Sequence, residues 1–327
     1  MTTCQSASLA VHGEVKRGEI NVAPQAPLHC GGEAPADRSE FFTSAAVLAL
    51  PRQAAVRVPP PTSAPVIAID NLAFTVKSRG RAEAVTPILA DLSLTVRERE
   101  FVSIVGPSGC GKSTLLNFIA GLLPVQSGRL SVAPMDGRDR VLGYMFQQHG
   151  LLPWRNVQRN VELGLEVAGV PAPQRASQTR RTLEKMGLAG FERHFPREIS
   201  GGMRQRVALA RTLVTRPEVM LMDEPFGALD AQTRVCIQEL FGQFWEEHRV
   251  TVLFVTHDID EALFLSDRVL VMGARPGRVV AQYDVDIDRP RTYEQLRHSP
   301  RFRELYDSIW HDIRQQSRLS MRGAAHE

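Results

Sequence analysis

The chain has 327 residues, a formal net charge of +3, and 43% hydrophobic and 23% charged residues. At about 150 residues per domain this is one large or two modest domains, long enough to bury a core. The balanced charge argues against wholesale nucleic-acid binding, and no apolar run approaches the roughly 18 residues of a membrane-spanning helix. Four scattered cysteines (Cys4, Cys30, Cys110, Cys236) without CxxC spacing argue against a disulfide framework or a zinc site. The chain opens without a basic region, apolar stretch and small-residue cleavage site, so a cytoplasmic, reduced protein is expected. Of 39 basic residues only four are lysines, at 16, 77, 112 and 185. Base-composition bias accounts for this imbalance, and any lysine that chemistry requires stands out against it.

Residues 1–65 are rich in Ala, Pro, Ser and Gly, lack a sustained period and end in PPPTSAP. A disordered N-terminal extension is expected, because such a segment buries little apolar surface. From Val66 the pattern tightens. VIAIDNLAFTV (Val66 to Val76) and ILADLSLTV (Ile88 to Val96) alternate as strands, and the polar SRGRAEAVTP between them reads as a hairpin connection. FVSIV (Phe101 to Val105), VMLM (Val219 to Met222) and VTVLFV (Val250 to Val255) are short continuous apolar runs, as in strands buried on both faces. Helical segments separate them, which predicts an α/β sheet. Residues from about 155 to 215 read as mainly helical, an insertion into the sheet order. From Tyr293 to Arg318, helical spacing of Phe302, Leu305, Tyr306, Ile309, Trp310 and Ile313 predicts a helix with one face packed on the domain.

Between the FVSIV strand and a helical pattern lies GPSGCGKST: Gly106, Pro107, Ser108, Gly109, Cys110, Gly111, Lys112, Ser113 and Thr114. This fits GxxxxGK[ST] in the strand–turn–helix context that the motif requires. The glycines let backbone N–H groups turn inward around phosphates, and the helix N-terminus adds its positive end. Lys112 supplies a compact charge for the β- and γ-phosphates of ATP, and Ser113 a hydroxyl for Mg²⁺. Cys110 reads as a tolerated small residue. The run MLMDEP ends a buried strand in two carboxylates, which is costly unless they meet cations or water. Asp223 suits holding Mg²⁺ through water, and Glu224 suits polarising a water for in-line attack on the γ-phosphate.

ISGGMRQRVALARTL (Ile199 to Leu213) resembles the signature motif of the ATP-binding cassette family. The resemblance extends through Gln147 in MFQQ, Asp230 in ALD and His257 in VTHD, and covers residues from about 66 to 275. It implies a phosphate-loop NTPase core, a mixed sheet flanked by helices with an antiparallel β subdomain, plus an inserted helical subdomain at about 148–215. The whole ATPase domain would span 66–285 and a C-terminal helical extension 286–327. It also implies a head-to-tail dimer, with homodimerisation expected, in which ATP meets Ser200, Gly201 and Gly202 of the second ATPase subunit. Gln147 would bridge Mg²⁺ or the attacking water to the helical insertion, His257 would contact the γ-phosphate, and Asp230 would cross the dimer interface. The chain departs from the family in two places. Met203 stands where glutamine is commonest, so it lacks a glutamine's hydrogen bonds, although the Ser-Gly-Gly core is intact. The adenine-stacking aromatic aligns with Val76, so either Phe74 takes its place or adenine is held by weaker apolar contact.

FQQHGLLPWRNVQRNVELGLEVAGV (Phe146 to Val170), GARPGRVV (Gly273 to Val280), DRPR and RFRELYDSIW resemble the importer ATPases for taurine, aliphatic sulfonates and nitrate, LLPW followed by RNV being most like the taurine branch. In such importers the helical insertion docks integral-membrane permease subunits at the cytoplasmic face of the inner membrane, and a periplasmic solute-binding protein selects the solute. Leu151, Leu152 and Trp154 are candidates for that docking surface or for packing inside the helical subdomain. The alternative is a soluble cassette ATPase acting on ribosomes or DNA; those relatives usually carry two cassettes in one chain or a long coiled coil splitting the cassette, which the sequence lacks, and it shows no basic stripe.

Overall fold

The computed structural model describes residues 65–77, 85–134, 141–273 and 276–323. The expected disorder of residues 1–65, apart from Pro65, lies outside them, as do residues 78–84 of the SRGRAEAVTP connection. Two long strands come first, β1 (Pro65–Lys77) and β2 (Val85–Arg97), paired antiparallel. In β2, Leu92, Leu94 and Val96 point inward while Ser93, Thr95 and Arg97 face out, the alternation of a sheet with one wet face. The short polar strand β4 (Ser127–Val132) closes the other edge of β1, giving the order β2-β1-β4.

The second sheet has six strands in the order β5-β6-β7-β3-β8-β9. Its members are β3 (Phe101–Val105), β5 (Leu142–Met145), β6 (Val219–Asp223), β7 (Thr251–Val255), β8 (Arg268–Gly273) and β9 (Arg278–Asp284). The first five run parallel to their neighbours and β9 returns antiparallel along β8. Every residue of β3, β6 and β7 is buried, as their continuous apolar runs require. Alternate side chains feed two cores. Phe101, Val105, Met220, Met222, Val252 and Phe254 face one, and Val102, Ile104, Leu221, Leu253 and Val255 face the other. The second core lies under the three-stranded sheet and α1 (Lys112–Ile119).

The first core is covered by helices. Between β5 and β6 the chain forms α2 (Val157–Val161), α3 (Leu163–Val167), α4 (Ala172–Lys185), a 3-10 turn at Pro196–Glu198 and α5 (Gly201–Leu213). It continues with α6 (Ala231–His248), capped by Asp230, and α7 (Ile259–Leu265), capped by Asp258. Phe101 sits at the centre, edge-on to Phe241, Trp245 and Phe254 at centroid distances of 6.0, 5.6 and 5.9 Å. Burial of each such ring contributes about 2–3 kcal/mol, so this cluster fixes α6 against the sheet.

The C-terminal segment differs from the single helix expected. It forms α8 (Tyr293–His298) and α9 (Pro300–Gly323), broken at Ser299. Pro300 disfavours helical backbone at the residue before it, and Ser299 is extended at φ −76°, ψ 121°. Phe302, Leu305 and Ile309 are buried, Tyr306 and Ile313 are half-buried, and Trp310 is exposed. The stripe is narrower than expected because Trp310 falls beyond the flank of the 302–305–309 line.

Candidate functional site

Because β3, β5, β6 and β7 are parallel, their C-terminal ends share one sheet edge, where open α/β sheets place their ligands. The loop Gly106–Gly111 leaves β3 there. A Cβ on Gly106 would stand 2.5 Å from the Met272 carbonyl oxygen, and Gly111 has φ +95° with Leu89 Cδ2 2.6 Å from where its Cβ would be. Both positions therefore require glycine, one for close approach and the other also for left-handed backbone. Gly111 is the N-cap of α1 and provides no side-chain cap, so the first-turn N–H groups are left without a side-chain acceptor at the cap and are open to an anion. Ser108 and Gly109 form the exposed tip, Pro107 and Thr114 are half-buried, and Cys110 is buried.

Lys112 is only 6% exposed. Its Nζ donates to the carbonyls of Gly106 at 2.9 Å and Pro107 at 3.0 Å, across the loop it belongs to. Cys110 Sγ lies 3.8 Å from Nζ, and burial pushes its thiol up against the opposing charge of Lys112. A neutral thiol fits the reading of Cys110 as a small filler rather than a nucleophile.

Ser113 Oγ donates to Asp223 Oδ1 at 3.0 Å, joining the start of α1 to the end of β6. Burial pushes the Asp223 carboxyl up, with the Ser113 hydrogen bond and Lys112 opposing it. A buried carboxylate beside a hydroxyl is a pair of hard oxygen donors that gains from a cation, so these residues fit Mg²⁺.

Glu224 is held in left-handed backbone, φ +43°, with its N–H donating to Val255 O at 2.8 Å. Such a conformation costs a non-glycine residue on the order of 1–2 kcal/mol, and it turns the side chain off the sheet. Glu224 Oε2 accepts from Gln147 Nε2 at 3.1 Å, and His257 Nδ1 stands 3.3 Å from the same oxygen. Gln147 follows β5, Glu224 follows β6 and His257 follows β7, so two parallel strands deliver polar groups to a carboxylate oxygen carried by the strand between them.

The remaining expected residues lie elsewhere. Ser200 is the N-cap of α5, its Oγ accepting from Met203 N–H at 3.2 Å, and Gly201 and Gly202 form the first turn. Asp230 is exposed and accepts from Thr233 N–H at 3.0 Å, a bond that holds its carboxyl below the usual range. Phe74 lies edge-on to Phe118 at 5.0 Å and belongs to the second core, while Val76 is exposed, with a register shift between Phe74 and Thr75. Leu151 packs against the first core, whereas Trp154 is 72% exposed.

Three residues that sequence reasoning did not single out support the site. Gln205 of α5 is buried and donates to Pro225 O. Arg211, also of α5, donates to His149 O and Gly150 O, both at 2.7 Å, just beyond Gln147. Gly277 pairs with β2 through Ile88 and Ala90, and a Cβ on it would lie 1.9 Å from Cys110 O. The available signal for Gln205 was its helical spacing with Ala208, Leu209 and Thr212, which places a polar residue on the apolar side of the signature helix. The role of Gly277 depends on a contact distant in sequence.

Residues 89–227 match the family model described as ABC transporter. A putative ATP-binding protein of Brucella abortus (strain 2308) is 45% identical over 237 residues, 72% of this chain and 91% of that protein. The taurine import ATP-binding protein TauB of Rhizobium johnstonii is 48% identical over 226 residues, 67% of this chain and 86% of that protein. A dimeric post-hydrolysis structure of an ATP-binding cassette bound to ADP and Pi is similar at TM-score 0.59 and 33% identity, covering 68% of this chain and 99% of that one. The mixed sheets flanked by helices agree with those cassettes, as the phosphate-loop motif leads one to expect. The chain belongs to the ABC transporter family and is one of its ATPases.

Proposed function

We propose that this ATPase is the ATP-hydrolysing subunit of an importer for a small anion such as taurine, an aliphatic sulfonate or nitrate. The observation that carries the catalytic reading is the convergence of Gln147 and His257 on Glu224 Oε2, beside the Ser113–Asp223 pair. In this reading Lys112 exchanges the Gly106 and Pro107 carbonyls for β- and γ-phosphate oxygens. Mg²⁺, held by Ser113, Gln147 and (through water) Asp223, would offset the charge on those phosphates. Glu224 accepts a proton from a water whose oxygen bonds to the γ-phosphorus, while the bond from that phosphorus to the β–γ bridging oxygen breaks and ADP leaves with that oxygen. His257 contacts the γ-phosphate, Gln147 orients the water, and exposed Val76 gives adenine apolar cover while Phe74 stays with Phe118.

The second half of the site comes from another copy of the chain, through Ser200, Gly201 and Gly202, with Asp230 at the interface. Support comes from the capped, partly exposed N-terminus of α5 and from similarity to cassettes solved as dimers. Residues 66–285 form the ATPase domain, about 148–215 its helical subdomain and 286–327 the C-terminal extension. The helical subdomain, with exposed Trp154, docks a membrane permease at the cytoplasmic face of the inner membrane, and a periplasmic protein delivers the solute. The solute class rests on the 48% identity to a protein named for taurine import.

The test is ATP hydrolysis by Glu224→Gln protein co-purified with its permease. A loss of kcat on the order of 100-fold or more, with ATP still bound, is expected for removal of a general base. Wild-type turnover would show that Glu224 is not that base.

A further inference from the structure

Behind His257 lies a buried polar chain that the phosphate chemistry does not use. Glu261 of α7 is 3% exposed and Gln238 of α6 is fully buried. Glu261 Oε1 accepts from Gln238 Nε2 at 2.7 Å, and Oε2 accepts from the Thr256 hydroxyl at 2.6 Å. That hydroxyl in turn accepts from Asp258 N–H at 3.0 Å, so one side chain closes the turn Thr256–His257–Asp258 from within. On the far side the Tyr293 hydroxyl donates to Gln238 Oε1, and the Tyr293 ring stacks on Phe264 of α7 at 4.4 Å and 11°.

A branch reaches the segment before α6. Arg234 donates to Asp258 Oδ2 at 3.3 Å and to Leu229 O at 3.1 Å, with its Nε 3.9 Å from Glu261 Oε1. Leu229 immediately precedes Asp230. The His257 turn and the Asp230 segment thus share one anchor inside a single chain. Burying a carboxyl here is costly, and desolvation pushes Glu261 up to about 7, with Asp258 adding to the shift and Thr256, Arg234 and His257 opposing it. An apolar side chain would fill this space at less cost but could not hold the turn.

We propose that Glu261 is a positioning residue for His257, holding the turn through Thr256 and bracing it on the C-terminal segment through Gln238 and Tyr293. The proposal rests on the reading that His257 meets the γ-phosphate. Its geometric content is separate: the turn is ordered by the Thr256 hydroxyl whether or not nucleotide is present.

The test uses full-length protein carrying Thr256→Val, Thr256→Ser, Glu261→Gln or Tyr293→Phe, with His257→Ala as reference. Thr256→Val and Glu261→Gln are expected to lower kcat roughly 10- to 100-fold, leaving KM for ATP within about twofold, because misplacement affects the transition state. Thr256→Ser, which restores the hydroxyl, should return to within about threefold of wild type, and Tyr293→Phe should lose roughly threefold as the distant brace. Amide exchange of nucleotide-free protein should quicken at residues 256–258 in Thr256→Val and not in Thr256→Ser. If Thr256→Val fails to fold, Thr256→Ser and Glu261→Gln carry the same comparison. Full kcat and unchanged exchange in Thr256→Val, while His257→Ala is inactive, would overturn the proposal. Full kcat in His257→Ala would overturn the reading of His257, and with it the functional half of the proposal, whatever the exchange data give.

Discussion

Two glycine turns lead into helices in this chain, and their surroundings are opposite. The Gly106–Gly111 loop is enclosed by its own chain: Lys112 is buried and bonded across it, Ser113 is bonded to Asp223, and Gly277 presses on Cys110 O. The Ser200–Gly202 turn caps its own helix, leaves Ser200 exposed, and packs Gly202 so closely that a Cβ there would lie 2.5 Å from Thr233 Cγ2. Both are helix N-termini suited to an anion, but only the first has a lysine, a hydroxyl and carboxylates gathered around it. Under the proposed function the contrast has a reason: the first turn holds phosphate with groups from its own chain, while the second, bare of such groups, meets them on a second molecule.

Substitutions in the two turns should separate these roles. Lys112→Arg is expected to have the largest effect, at least about 100-fold on hydrolysis, because a planar guanidinium cannot take the place of a compact ammonium inside the loop. Retained turnover would mean that the cradle tolerates charge alone. Gly277→Ala tests the loop from behind. Its Cβ has no room against Cys110 O, so the loop must shift: KM for ATP should rise roughly tenfold, with about 1–3 kcal/mol of stability lost. An unaltered KM would show that the loop is not braced there.

The smallest effect concerns pH. Glu261 has its carboxyl raised from an ordinary 4.5 to about 7 by burial. A raised acid contributes stability that is present below the unfolded value and lost as pH climbs through the folded value. The Tm of wild type relative to Glu261→Gln should therefore fall between about pH 5 and about pH 8. A constant difference, measured by calorimetry across that range, would show that Glu261 does not titrate in the folded protein.

Legibility in the sequence followed the range of the forces involved. The phosphate loop and the Asp223–Glu224 pair were readable because the chemistry demands particular residue types at short spacing. Strands β3, β6 and β7 were readable because burial on both faces leaves unbroken apolar runs. Strand β8 is equally buried but opens with Arg268, whose guanidinium is neutralised by Glu100 at 3.0 Å, a partner 168 residues away. Strands β4 and β9 have largely exposed or half-buried residues and carry little apolar signal. The left-handed backbone of Glu224, which aims its carboxylate at Gln147 and His257, has no local cause in residue type. It is imposed by its place between β6 and β7, through the bond to Val255 O.

The claim that matters most is that hydrolysis needs the two unlike turns of two chains. Glu224→Gln protein, slow to hydrolyse, should shift from monomer to dimer in sedimentation when ATP is added. The same protein also carrying Ser200→Arg should bind ATP with little loss and remain monomeric. Dimerisation of the double variant with ATP, or ATP-saturated Glu224→Gln protein that stays monomeric at all concentrations, would contradict the account.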